Sequence, residues 1–150
     1  MTDVKLKQLI AAPRYRVFRA WTYPDEIVQW WPPPDSTNTR IDMDLTLNGV
    51  VSYHATTAGR HFQAAGNFTE VDGPLRLVMT WGFEIILMDR WEGVMPPSEK
   101  ETTVSVEFRD CGSSTEIELS HTGFKDPVAA VEMEERWESS LSRLADAVAG

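Results

Sequence analysis

Cysteine is nearly absent from this chain: one residue, Cys111, among 150. A single thiol makes no intrachain disulfide and no cysteine cluster for a metal. The three histidines, His54, His61 and His121, do not fill that gap, because none stands at metal-ligand spacing from another. Positive charge is scarce as well. Lys and Arg number 14 against 23 Asp and Glu, a net charge of −9. The cationic footprint that phosphates require is missing, which argues against nucleic acid as a partner, and an anionic bilayer surface would repel the chain. No stretch approaches the roughly 18 apolar residues of a membrane span. The opening MTDVKLKQLIAAP has no long apolar run and no cleavage-site pattern. The expectation is a soluble, cytoplasmic protein. The nine glycines are scattered among turns without forming a phosphate loop, and no serine sits in a nucleophile-elbow context. No cofactor is implied.

What is present is apolar and aromatic. The apolar fraction is 42% and the tryptophans number six. This length suits one domain, spanning residues 1–150, with a core that needs no staples. VKLKQLI (4–10) alternates apolar and polar residues and reads as a half-buried strand. Pro13 suits a first helical turn, and Val17, Phe18 and Trp21 give the following segment an apolar side. TYPDEIVQWW (22–31) reads as a second short helix, with Thr22 and Asp25 as a capping pair. It is stopped by Pro32, Pro33 and Pro34. Consecutive helical side chains point about 100° apart. Trp30 and Trp31 are therefore expected to face two different environments.

The middle is rich in strands. Ile41, Met43, Leu45 and Leu47 alternate with polar residues, and Asn48-Gly49 signals a tight hairpin. VVSYHAT, FQAAGNFTEV and LRLVMTW follow, then a long segment at 82–100 that reads as a strand extension plus a loop. TTVSVEF and TEIELSH flank the turn RDCGSS. At the end, Asp126 caps and Pro127 opens a long helix. Its Ala130, Met133, Trp137, Leu141, Leu144 and Val148 form one stripe. A sheet of this kind exposes an apolar face that the long helix is suited to cover.

Several of these segments resemble a known family. AAPRYRVFRAWTYPDEIVQWWPPP, GNFTEVDGPLRLVMTW, the paired late strands and the terminal helix with its Trp resemble the SRPBCC (START-like, helix-grip) superfamily. The likeness is to the branch related to the activator of the heat-shock chaperone ATPase, and it covers essentially the whole chain. It implies an α+β helix-grip fold: a curved antiparallel sheet of about six to seven strands around the C-terminal helix, with two short helices after the first strand. It also implies a cavity that in such proteins takes hydrophobic molecules. One departure stands out. The family often has Gly just before the terminal-helix Trp, where this chain has Arg136, a side chain large enough to narrow or redirect a pocket entrance. The chaperone activator itself has two domains, so chaperone activation does not transfer with the resemblance.

The residues offered for a ligand pocket are Met79, Trp81, Val106, Phe108, Met133, Trp137 and Leu141. Trp31 and Phe83 stand at its rim, and His121 ends a late strand on the apolar side. Asp42/Asp44 and Glu116/Glu118 lie on solvated strand faces, where nothing splits their pKa values for acid–base work. Glu132 and Arg136 stand four apart as a helical ion pair. Arg14, Arg16 and Arg19 form a small basic patch. Three functions compete: binding of a small hydrophobic molecule, a cyclase- or hydrolase-type enzyme using His121, and an interaction module. The last would use Phe83, Ile85, Ile86 and Leu87 as an exposed patch. A homodimer through that segment is compatible with all three. The first is preferred, and no residue is assigned as catalytic.

Overall fold

Period-two alternation puts one side of each strand against a common core, and the chain uses it to build one continuous antiparallel sheet. The computed structural model describes the backbone of residues 3–87 and 98–149, and the side chains of 3–83 and 101–149. The elements are β1 (Val4–Ile10), α1 (Arg14–Thr22), α2 (Pro24–Ile27), β2 (Thr37–Met43), β3 (Val50–Thr57) and β4 (Arg60–Asp72). They continue with β5 (Arg76–Leu87), β6 (Ser98–Cys111), β7 (Ser114–Thr122) and α3 (Pro127–Val148). The seven strands run in the order β1-β7-β6-β5-β4-β3-β2. The sheet curls around α3, with the short helices after β1, so the fold is the helix grip that the resemblance implied.

Register explains the core. Leu77 faces Val106, Val106 faces Leu119, and Leu119 faces Leu6, a row of apolar side chains across four strands. The α3 stripe of Ala130, Met133, Trp137, Leu141, Leu144 and Val148 is buried against this concave face. Each large side chain so buried contributes roughly 1.5–3 kcal/mol before entropy is subtracted. Asp126 caps α3 by accepting from the Val128 amide at 2.9 Å, and Pro127 occupies the first turn. The β1–α1 junction is fixed by the buried Thr115 hydroxyl, which donates to the Ala12 carbonyl at 2.7 Å. No described helix is long and apolar enough to cross a membrane.

Three local expectations are corrected. The second helix covers only Pro24–Ile27, not 22–31. Thr22 turns its hydroxyl back to the Phe18 carbonyl at 2.9 Å and so closes α1, while the amides of Trp30 and Trp31 both return to the Ile27 carbonyl in turns. Next, Asn48-Gly49 does not make a two-residue hairpin. β2 ends at Met43, the Asp44 amide bonds the Val50 carbonyl, and 44–49 loops outward with Leu47 exposed. A neighbouring strand sets this loop, since the Asn48 amide donates to the Phe68 carbonyl at 2.8 Å. Gly49 is required there because a Cβ would stand 2.0 Å from the Asp44 carbonyl oxygen. Finally, Glu132 pairs with Arg60 across to β4 at 2.5 Å, not with Arg136.

At 82–100, β5 does extend to Leu87 and β6 begins at Ser98, while 88–97 lies outside the described residues. The patch read at Ile85, Ile86 and Leu87 lies outside the described side chains. The α1 basic patch is partly neutralised: Arg16 and Arg19 each reach one oxygen of Glu26 at 2.5 Å.

Candidate ligand-binding site

The interior beneath α3 is filled mainly by indoles. Trp21 packs on Trp30 with ring centroids 4.8 Å apart, and on Trp137 at 6.0 Å. Trp31 stacks on Trp81 and on Trp137, each at 5.4 Å. Trp30 is wholly buried and its Nε1–H donates to the Ala20 carbonyl at 2.9 Å, tying α1 to the turn after α2. Trp31 keeps 7% of its surface and lines a cavity. Their rings are nevertheless stacked at 6.3 Å, because both residues lie in turns and the helical divergence of neighbouring side chains does not apply. Pro33 continues the wall beside Trp31.

That cavity measures about 250 Å³ and opens between α3 and the β3–β4–β5 side of the sheet. Tyr53, Phe62 and Trp81 form its sheet wall, and Met133, Arg136, Trp137, Ser140 and Arg143 its helix wall. Of the ten residues offered from sequence, Trp31, Trp81, Met133 and Trp137 line it. Met79, Phe83, Val106, Phe108 and Leu141 are buried in the packed core away from its walls. These five belong to the packed core, and this cavity opens on the β3–β4–β5 side of the grip.

His121 also stands off the cavity, in the dry region behind Trp137. Its Nδ1 accepts from the Trp137 indole N–H at 3.1 Å. This fixes the tautomer, so Nε2–H donates to Thr102 Oγ1 at 2.7 Å, and the Thr102 hydroxyl passes its own proton to the Trp81 carbonyl. Burial lowers the His121 pKa to about 3, because the charged form would lose its water. A neutral imidazole with both nitrogens occupied cross-links α3, β6 and β7 and has no free lone pair for proton transfer.

The polar lining is what apolar periodicity did not reveal. The Arg136 guanidinium lies 4.1 Å from the centroid of the Phe62 ring, a cation–π contact. Burial lowers its pKa, with the Tyr53 hydroxyl and Glu132 opposing. Tyr53 is 1% exposed, and its hydroxyl stands beside the Arg136 guanidinium and meets no acceptor. Desolvation raises its pKa. Arg143 donates to the carbonyls of Trp30 at 3.0 Å and Trp31 at 3.2 Å, and to the Ser139 and Ser140 hydroxyls. Ser140 itself donates to the Trp31 carbonyl at 2.7 Å. The proline-bordered tryptophans are thus held to α3 by their backbone. A signal for these residues existed: positions 136, 140 and 143 step by four and three, a polar stripe beside the apolar one. Among the described residues no group of His, Cys, Asp and Glu could hold a metal.

Comparison with known proteins agrees with this fold. Residues 11–149 match the family model described as Activator of Hsp90 ATPase homolog 1-like protein. A crystal structure from Chromobacterium violaceum superposes with a TM-score of 0.77 at 17% identity, covering 100% of this chain and 99% of that one. The AHSA1 protein of Silicibacter pomeroyi gives 0.73 at 23% identity, over 96% and 95% of the two chains. A solution structure from Arthrobacter aurescens gives 0.76 at 20% identity, over 98% and 86%. No curated protein matches. Likeness at these identities fixes the fold, and function has to come from the site.

Proposed function

The chain belongs to the Activator of Hsp90 ATPase homolog 1-like family, and from that footing we propose that it binds a small, largely apolar organic molecule in the cavity under α3. One observation carries the reading: an open space of about 250 Å³ between α3 and the sheet, walled by three indoles. A cavity of about 150 Å³ holds a benzene ring, and pockets for drug-sized ligands begin near 300 Å³. The occupant is therefore of one or two rings, with its flat faces against Trp31, Trp81 and Trp137.

The chemistry favours binding over turnover. Glu132 at the rim is committed to Arg60, and the imidazole is committed to Trp137 and Thr102. Of the two carboxylates in the lining, Glu132 is thus ion-paired and Glu135 is exposed.

Native mass spectrometry of freshly purified protein, followed by melting and tryptophan fluorescence with a panel of one- and two-ring compounds, tests this. A ligand at about a hundred times its Kd raises stability by about 2.7 kcal/mol, and one seated against the three indoles quenches their emission. A panel in which no compound shifts melting or fluorescence overturns the reading.

A further inference from the structure

The arginines of this chain are mostly paired. Arg16 and Arg19 share Glu26, Arg40 meets Asp42, Arg60 meets Glu132, Arg76 meets Glu107, and Arg109 meets Glu118. At the cavity, Arg136 and Arg143 have no carboxylate partner among the described residues, and Arg143 is held instead by the Trp30 and Trp31 carbonyls. Arg136 is half-buried, and among the described residues no carboxylate lies within ion-pair distance of it. Its face rests on Phe62. This is an unusual place to leave a cation unpaired, since burying a charge without a partner is costly, and the chain carries 23 acids from which to supply one.

The second observation lies beside the first. The Tyr53 hydroxyl reaches the same cavity wall, is fully buried, and donates to nothing. A buried donor with no acceptor is destabilising unless something fills it. A guanidinium fork and a phenol O–H together are the donor set that receives a carboxylate. Three arginines against two glutamates line the cavity, one net positive charge, which matches a monoanion rather than a phosphate dianion.

Resting on the cavity reading above, we propose that the ligand is a small aromatic acid, its ring among the tryptophans and its carboxylate held by Arg136 and the Tyr53 hydroxyl. The rest of the polar wall does not compete for it. Arg143 is already engaged with the Trp30 and Trp31 carbonyls, and Arg60 is held by Glu132.

Matched probes test this: phenylacetate against phenylacetamide, and 1-naphthylacetate against 1-naphthaleneacetamide. Affinities are measured by calorimetry on the intact chain and on Arg136→Gln and Tyr53→Phe, with melting curves to show that each variant folds. The acid is expected to bind about 10–100-fold tighter than its amide, the effect of a charge-assisted contact out of water. Arg136→Gln should erase that preference, bringing the ratio of acid to amide affinity within the variant to about one, and Tyr53→Phe should reduce the ratio several-fold. If Arg136→Gln does not fold, Tyr53→Phe decides by the same criterion. Equal binding of acid and amide to the unaltered protein overturns the acid proposal and leaves the cavity reading standing. Loss of acid and amide together in Arg136→Gln shows a wall residue rather than a charge receptor, and also overturns it. If neither member of either pair binds, both readings fall.

Discussion

Lowering the pH should strike this protein through His121. The imidazole is wholly buried, accepts from Trp137 and donates to Thr102. Its folded pKa is lowered from 6.5 to about 3. The sign follows from proton counting. Above about pH 6.5 neither folded nor unfolded chain holds a proton at this site, and the residue's contribution is intact. Between about 6.5 and 3 the unfolded chain binds a proton that the folded chain does not, so stability falls as pH falls. Each unit is worth about 1.4 kcal/mol, hence about 5 kcal/mol across the whole window. That is comparable with the total stability of a small domain, about 5–15 kcal/mol. The assay is urea unfolding followed by tryptophan emission at about pH 7 and about pH 5, for the unaltered chain and His121→Gln; over that interval the residue should account for about 2 kcal/mol. Glutamine also offers one donor and one acceptor but does not titrate. Carboxylates such as Glu26, whose pKa is lowered, lose stability in the same direction, but they are common to both chains and cancel in the difference. Parallel pH dependence in the two proteins would refute the argument. So would an imidazole that titrates near 6.5 by NMR.

Two further outcomes concern the frame that shapes the cavity. Asp126→Ala removes the cap on the α3 amides and should cost about 1 kcal/mol, read as a lower urea midpoint with unchanged slope. Gly66→Ala would place a Cβ 1.8 Å from the Thr80 carbonyl oxygen, backbone against backbone. It should cost about 3 kcal/mol and speed amide exchange along β4 and β5, and a neutral result would mean that these strands are not so close.

Legibility from sequence followed period and failed where tertiary contacts intervene. Alternation in 4–10 and in TEIELSH gave strands that pair with each other, and the α3 stripe is buried as its spacing demanded. Asn48-Gly49 carried a strong local signal, yet Phe68 and Asn67 from the next strand hold that loop in another shape. Glu132 and Arg136 had the spacing of a helical pair, worth only a few tenths of a kcal/mol. A cross-sheet partner, Arg60, takes Glu132 instead. Apolar patterning named Trp31, Trp81, Met133 and Trp137 at the cavity, but it could not separate them from Met79, Val106, Phe108 and Leu141, which fill the core. A void exists where side chains fail to meet, and that is decided by rotamers, not by residue type. The same patterning passed over Tyr53 and Arg143, because it scores grease.

Arg136 joins the two levels. A small residue at this position would leave the groove between α3 and Phe62 open. The guanidinium on that ring narrows the groove and places a charge in what remains. Narrowing alone needs no charge: Met or Leu would cover Phe62 without the desolvation that lowers the Arg136 pKa. Pairing was also available, since Glu132 precedes it by one helical turn, yet that carboxylate serves Arg60. A side chain that forgoes both the cheaper filling and the nearby partner fits a site completed from outside, and the missing piece would be an anion small enough for 250 Å³.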